Sequence, residues 1–146
     1  MRKAIFLEYK FGDYDPRTLY SSGANEVVAW MERLSAKRLK QLQHWGVKTN
    51  LSFGGLDDTI CPLNPESKSR LESLISKSLS FNPDGIIIDH FRFSGHWETT
   101  SKTLVDVHLP CEHCDHKNRG DEIAKIASWL KGLVPKSVEF GYYTIP

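Results

Sequence analysis

Asp84-Gly85-Ile86-Ile87-Ile88-Asp89-His90-Phe91-Arg92-Phe93 is the stretch that decides the fold. Three consecutive Ile residues suit a strand covered on both faces, as parallel strands are in helix-flanked sheets. Side chains alternate along a strand, so Ile87, Asp89 and Phe91 are expected on one face and Ile86, Ile88 and His90 on the other. An ionised Asp closing an apolar run is costly unless it is paired, hydrogen-bonded or solvated. Asp89 is therefore the leading candidate for chemistry.

Working upstream, Asn64-Pro65-Glu66 is a helix start, with Asn as N-cap, Pro at the first position and an acid in the first turn. Leu71, Leu74, Ile75 and Leu79 then share a face, and Asn82-Pro83 stops the helix. Residues 47–53 read as a strand ending at Gly54-Gly55. Before it, a helical segment bent or split near Ser35 is expected over about residues 24–45. Its apolar stripe is Val28, Met31, Leu34, Leu39, Leu42 and Trp45, and Gly46 is its C-cap. Residues 4–9 read as a first strand, followed by the turn-rich Gly12-Asp13-Tyr14-Asp15-Pro16.

Downstream, residues 94–118 read as one long irregular segment, a length of loop that is usually either functional or disordered. A last helix is expected over 120–131, with Ile123, Ile126, Ala127 and Leu130 inward. Val138, Phe140 and Tyr142 then alternate in a final strand. The order β-α-β-α-β-loop-α-β predicts an α/β fold, a parallel β-sheet with flanking helices and right-handed crossovers, in a single domain over residues 1–146. A closed (β/α)8 barrel typically needs about 250 residues, so a chain of this length corresponds to about half of one.

The chain has 146 residues, of which 40% are hydrophobic and 25% charged, an ordinary balance for a globular protein. A formal net charge of +1 makes no electrostatic case for nucleic acid. No apolar run approaches the roughly 18 residues of a membrane span, so no membrane partner is expected. The apolar start after Arg2-Lys3 is too short for a signal peptide. With three cysteines, an odd count, a cytoplasmic protein with free thiols is the expectation. Dinucleotide and phosphate-loop glycine fingerprints and a nucleophile elbow are all absent from the sequence.

Leu63-Asn64-Pro65, a helix, and then Asp84-Gly85-Ile86 through Asp89 to Arg92-Phe93 resemble the glycosyl-hydrolase-like TIM-barrel families, whose pattern is L-N-P, helix, D-G-I-x-x-D-x-x-R-F/Y. Phe140-Gly141-Tyr142-Tyr143-Thr144-Ile145-Pro146 is similar to the next step of those barrels. The resemblance covers about residues 45–146. It implies a barrel acting on glycosidic bonds, with Asp89 at the C-terminal mouth of the strands. The related chitinase signature D-G-x-D-x-D-x-E is not matched, since Ile87 replaces its middle Asp and Phe91 stands at its catalytic Glu.

Glycoside hydrolysis usually needs two carboxyl groups about 5 Å or about 6.5–9.5 Å apart. Asp89 is one candidate, with Glu98 and Glu8 as candidate partners and Asp57 and Asp58 as further acids after the second strand. In a full barrel the partner would also be free to come from another strand. Structural alternatives stand beside each: Asp89 paired with Arg92, and the others solvated surface acids. Candidate substrate contacts are Arg92 through its fork of donors, Trp97 and Tyr142 as sugar-stacking rings, and Asn50 near the mouth.

Separately, Cys111 and Cys114 with His108 and His116 offer thiolate and imidazole ligands for a structural zinc that would staple the long loop, with His96 or His113 as substitutes. A pair of reduced thiols is the alternative. No other cofactor is required. Three functional expectations follow. One is a carbohydrate hydrolase completed as a homodimer or by a second polypeptide. Another is a non-catalytic binding or assembly module with a zinc-stapled loop. A third is an open flavodoxin-type sheet with a cofactor at its switch point.

Overall fold

The computed structural model describes residues 3–7, 15–31, 35–55, 61–91, 95–98, 103–106, 112–113 and 118–142. Eleven elements run in the order β1 (Ala4–Leu7), α1 (Pro16–Ser21), β2 (Glu26–Trp30), α2 (Ala36–His44), β3 (Lys48–Gly54), α3 (Pro65–Leu79), β4 (Gly85–Asp89), β5 (Gly95–Glu98), β6 (Thr103–Asp106), α4 (Arg119–Leu133) and β7 (Glu139–Tyr142). Five strands form one parallel sheet in the order β1-β2-β3-β4-β7, while β5 and β6 pair antiparallel in a separate hairpin. The chain is thus an α/β protein built on a parallel sheet, as its alternating pattern predicts.

Each crossover steps to the next strand in the same direction. Right-handed connections that never reverse direction put every helix on the same face of a sheet. Leu19 of α1, Leu39 and Leu42 of α2, Leu71 and Ile75 of α3, and Ile126 and Leu130 of α4 all join one core with Leu7, Val27, Ala29, Leu51, Phe53, Ile86 and Ile88 of the strands. Among the described strands the order contains no reversal, hence no switch point of the flavodoxin type. It is the progression that successive units of a (β/α) barrel follow.

Residues level with one another in a parallel sheet point the same way. Phe6, Val28, Asn50, Gly85 and Glu139 therefore make one row of the second face, and Trp30, Ser52, Ile87 and Gly141 make the next. None of these belongs to the helix-side core. Phe6 is 52% exposed there, although Val28 and Asn50 are buried. No described helix packs on this second face.

Side-chain caps set the helix starts. Asp15 Oδ1 accepts from the Arg17 amide, Ser35 Oγ from Arg38 and Asn64 Oδ1 from Glu66, the last at 2.9 Å. Asn64→Ala removes the side chain that caps the start of α3 and is expected to cost about 1 kcal/mol, read as a lower urea midpoint with unchanged slope. Gly46, at φ +75°, follows α2 in a left-handed conformation that glycine adopts without penalty, and its N–H bonds to the Gln43 carbonyl.

Four expectations need correction. The segment over 24–45 is not one helix: Glu26–Trp30 is a strand and only Ala36–His44 is helical. Val28 and Met31 fit the helical stripe by spacing, but Val27-Val28 and Trp30 favour a pleated strand, on which Val28 and Met31 face opposite ways. A short helix, Pro16–Ser21, also occupies part of what reads as turn and loop. Residues 94–118 are not wholly irregular, since Gly95–Glu98 pairs with Thr103–Asp106. Finally, Phe91 is not beside Asp89. His90 adopts φ +53°, which breaks the alternation, and Phe91 enters the helix-side core at 1% exposure.

Candidate functional site

The motif Asp84-Gly85 at the start of β4 is structural. Asp84 Oδ2 accepts from the Thr49 amide at 2.7 Å and from Thr49 Oγ1 at 3.0 Å, while the Asp84 amide donates to the Thr49 carbonyl. These bonds lock the register of β3 against β4. Gly85 follows because Asn50 leans over it, and a Cβ at that position would overlap Asn50 Oδ1.

Asp89 sits at the other end of β4, level with Gly54 of β3, on the face without described helices. Its Oδ1 accepts from the His90 amide at 2.8 Å, a bond that the left-handed turn at His90 permits. Its Oδ2 is 3.9 Å from His90 Nε2, and the side chain keeps 36% exposure. The Asp89 carbonyl accepts from Gly55 at 2.8 Å, and a Cβ at Gly55 would overlap Ile88. Glycine at 55 thus lets the chain leave β3 tight against β4. One backbone N–H holds Oδ1, while Oδ2 lies beside the His90 ring on a part-exposed side chain, a geometry suited to a sugar hydroxyl or a transferred proton.

The other expected contacts are dispersed. Tyr142 stands on the edge strand β7, level with Ile88, with its ring 5.1 Å from that of Phe91, so it packs on the helix side. Asn50 is level with Gly85, four residues before Asp89, which places it about 13 Å below the mouth at ~3.3 Å per residue. Trp97 and Glu98 lie on β5 opposite Leu104 and Thr103, and His96 lies opposite Val105. His113 Nε2 is 3.5 Å from the Glu112 carboxylate. Glu8, Asp57, Asp58, Arg92, His108, Cys111, Cys114 and His116 fall outside the described residues. Among the described residues no three His, Cys, Asp or Glu side chains are grouped to hold a metal ion.

The structure adds one carboxylate that reading the sequence passes over. Glu26, the first residue of β2, is only 3% exposed and accepts from Asn50 Nδ2 at 2.6 Å. The misassigned helix over 24–45 hid it, and the signal that would have found it is an acid opening the Val27-Val28 strand. Glu26 is not the catalytic partner of Asp89. It is level with Lys48 whereas Asp89 is level with Gly54, six residues further along β3, or about 20 Å. That exceeds the roughly 5–9.5 Å that glycoside chemistry uses.

No described helix is long and apolar enough to cross a membrane. Set against family models, curated proteins and solved structures, the chain matches none of them.

Proposed function

We propose that this chain supplies consecutive βα units of a barrel that hydrolyses glycosidic bonds, with Asp89 as one of its two carboxylates. The observation that carries the reading is the position of Asp89: a part-exposed carboxylate at the C-terminal end of a parallel strand, on the face opposite the helices. Barrel enzymes collect their catalytic groups at that end and on that side. The L-N-P helix start and the D-G-I-x-x-D-x-x-R run add the resemblance to glycosyl-hydrolase-like barrels. The second carboxylate then comes from Glu98, from Glu8, or from a strand of a second copy or second polypeptide that closes the barrel. Arg92 and Trp97 follow Asp89 in the chain and are the proposed substrate contacts.

Purified protein incubated with a panel of aryl glycosides and polysaccharides is expected to release reducing ends from at least one. A panel without turnover at any protein concentration contradicts the proposal. Closure by self-association predicts a dimer or larger species in sedimentation equilibrium, and a monomer at all concentrations excludes that route.

A second reading, a non-catalytic assembly module, is favoured by Phe6, which stands half exposed on the face without described helices, on β1, an edge strand among the described residues. In that reading Cys111, Cys114, His108 and His116 hold a zinc that staples the contact loop. Elemental analysis is expected to find about one zinc per chain, and a stoichiometry near zero removes the staple.

A further inference from the structure

Gly54 ends β3 level with Asp89, and among the described residues neither its conformation nor its packing calls for glycine. Its φ lies outside the left-handed region. A Cβ there would stand 3.4 Å from Trp30 Cη2 and 3.7 Å from Cζ2, ordinary contact distances, and would meet no other described residue within 4 Å. Gly55 differs, because a Cβ at that position would overlap Ile88. Glycine inside a strand costs about 0.5–1 kcal/mol relative to alanine. Where conformation and packing do not require it, it often marks close approach of a ligand to the backbone.

The border of the space above Gly54 is amphipathic. Trp30 is level with Ser52, two residues before Gly54, so its side chain leaves the same face and its benzo edge reaches up to the Gly54 level. Asp89 stands on the other side of Gly54, one strand spacing of ~4.8 Å away. His90, 54% exposed, adds an imidazole whose Nε2 is 3.9 Å from Asp89 Oδ2. Apolar carbon thus borders the space from β2 and hydrogen-bonding groups border it from β4, over a floor of bare backbone. Accessibility follows the same outline. Trp30, Gly54 and Asp89 are part-exposed, whereas Val28, Asn50 and Ser52 below them are buried.

A sugar ring complements this border, since it carries C–H groups on its faces and hydroxyls around its rim. Small-molecule sites commonly combine an aromatic wall with a few placed polar groups in this way. We propose that Trp30, Gly54 and Asp89 form a monosaccharide subsite. The sugar lies over the Gly54 backbone, with C–H groups against the Trp30 indole and a hydroxyl or the glycosidic oxygen at Asp89. This subsite rests on the glycosidase reading of Asp89 and specifies how the sugar is held there.

The full chain titrated in turn with cellotetraose, xylotetraose, maltotetraose and chitotetraose, and followed by the indole N–H signals of its four tryptophans, tests this. The Trp30 signal, identified by its absence from the Trp30→Phe spectrum or by its connectivity to the Trp30 backbone, is expected to shift saturably with at least one sugar. Gly54→Val places a β-branched side chain, which suits a strand, in the proposed sugar position. It is expected to weaken binding of that sugar about tenfold or more, the low end of what a misfit in a pocket costs, with the thermal melt unchanged. The wild-type indole shift decides the matter if that variant does not fold. Saturable binding or turnover of any of these sugars with the Trp30 signal unmoved, or unchanged affinity in folded Gly54→Val, overturns the subsite while leaving the role of Asp89 standing. No saturable change with any of the four sugars also overturns it, and if turnover is absent as well the glycosidase reading falls with it.

Discussion

Asp89→Asn is expected to lower glycoside turnover by about 10²–10⁴-fold, the range attributed to a positioned acid or base. Asn is nearly isosteric, and its Oδ1 still accepts from the His90 amide that holds the native carboxylate. What it loses is the negative charge and the capacity to carry the proton. Because the side chain is 36% exposed and outside the helix-side core, folding should not suffer. Exposed substitutions usually stay within about 0.5 kcal/mol, or roughly 2 °C in Tm for a chain of this size. Steady-state kinetics measured beside a thermal melt separate the two effects. Wild-type turnover in the folded variant refutes the role given to Asp89.

Gly85→Ala is expected to destabilise the protein by about 2–4 kcal/mol, although Ala is normally the better residue in regular structure. The new Cβ displaces Asn50 Oδ1, and Asn50 cannot rotate away without surrendering its 2.6 Å bond to Glu26. A buried carboxylate then loses a donor, and that term outweighs the entropy that Ala removes from the unfolded chain. Gly141→Ala makes the matched control. Its Cβ enters open space, so the expected change runs from zero to about 1 kcal/mol of stabilisation. Urea denaturation of both variants reads the contrast, and equal midpoints contradict the packing described at Gly85.

Much of the α/β architecture can be read directly from the chain, and the reasons are local. The triple Ile run has no competing helical period, and Asn64-Pro65-Glu66 supplies cap, first-turn proline and first-turn acid together. These signals are short-range and independent of tertiary context, so β4 and α3 fall where they predict. The region over 24–45 fails for the opposite reason. Val28 and Met31 are three apart, a spacing that serves a helix stripe and, in a strand, puts the two on opposite faces. Pairing with β1 and β3 adds to the β-branched Val27-Val28 and selects the strand. His90 is similarly opaque, because nothing in its identity announces a left-handed residue that sends Phe91 into the core.

The candidate site divides along the same line. Asp89 is legible because it interrupts a strongly apolar strand, and position in the strand implies position in the fold. Asn50 and Glu26 are brought together by register alone, from strands 24 residues apart in sequence. No local pattern encodes that meeting. The same holds for the partner of Asp89, which the proposed chemistry draws from another strand or loop.

The central claim is that carbohydrate is engaged at the C-terminal ends of the strands, on the face opposite the helices. Mapping amide shifts during titration with oligosaccharides from the hydrolysis panel tests it most directly. The account predicts saturable changes centred on Gly54, Gly55, Asp89 and His90, with the amides of α2 and α3 unmoved. Binding centred on the helices, or no saturable change with any sugar, would contradict it.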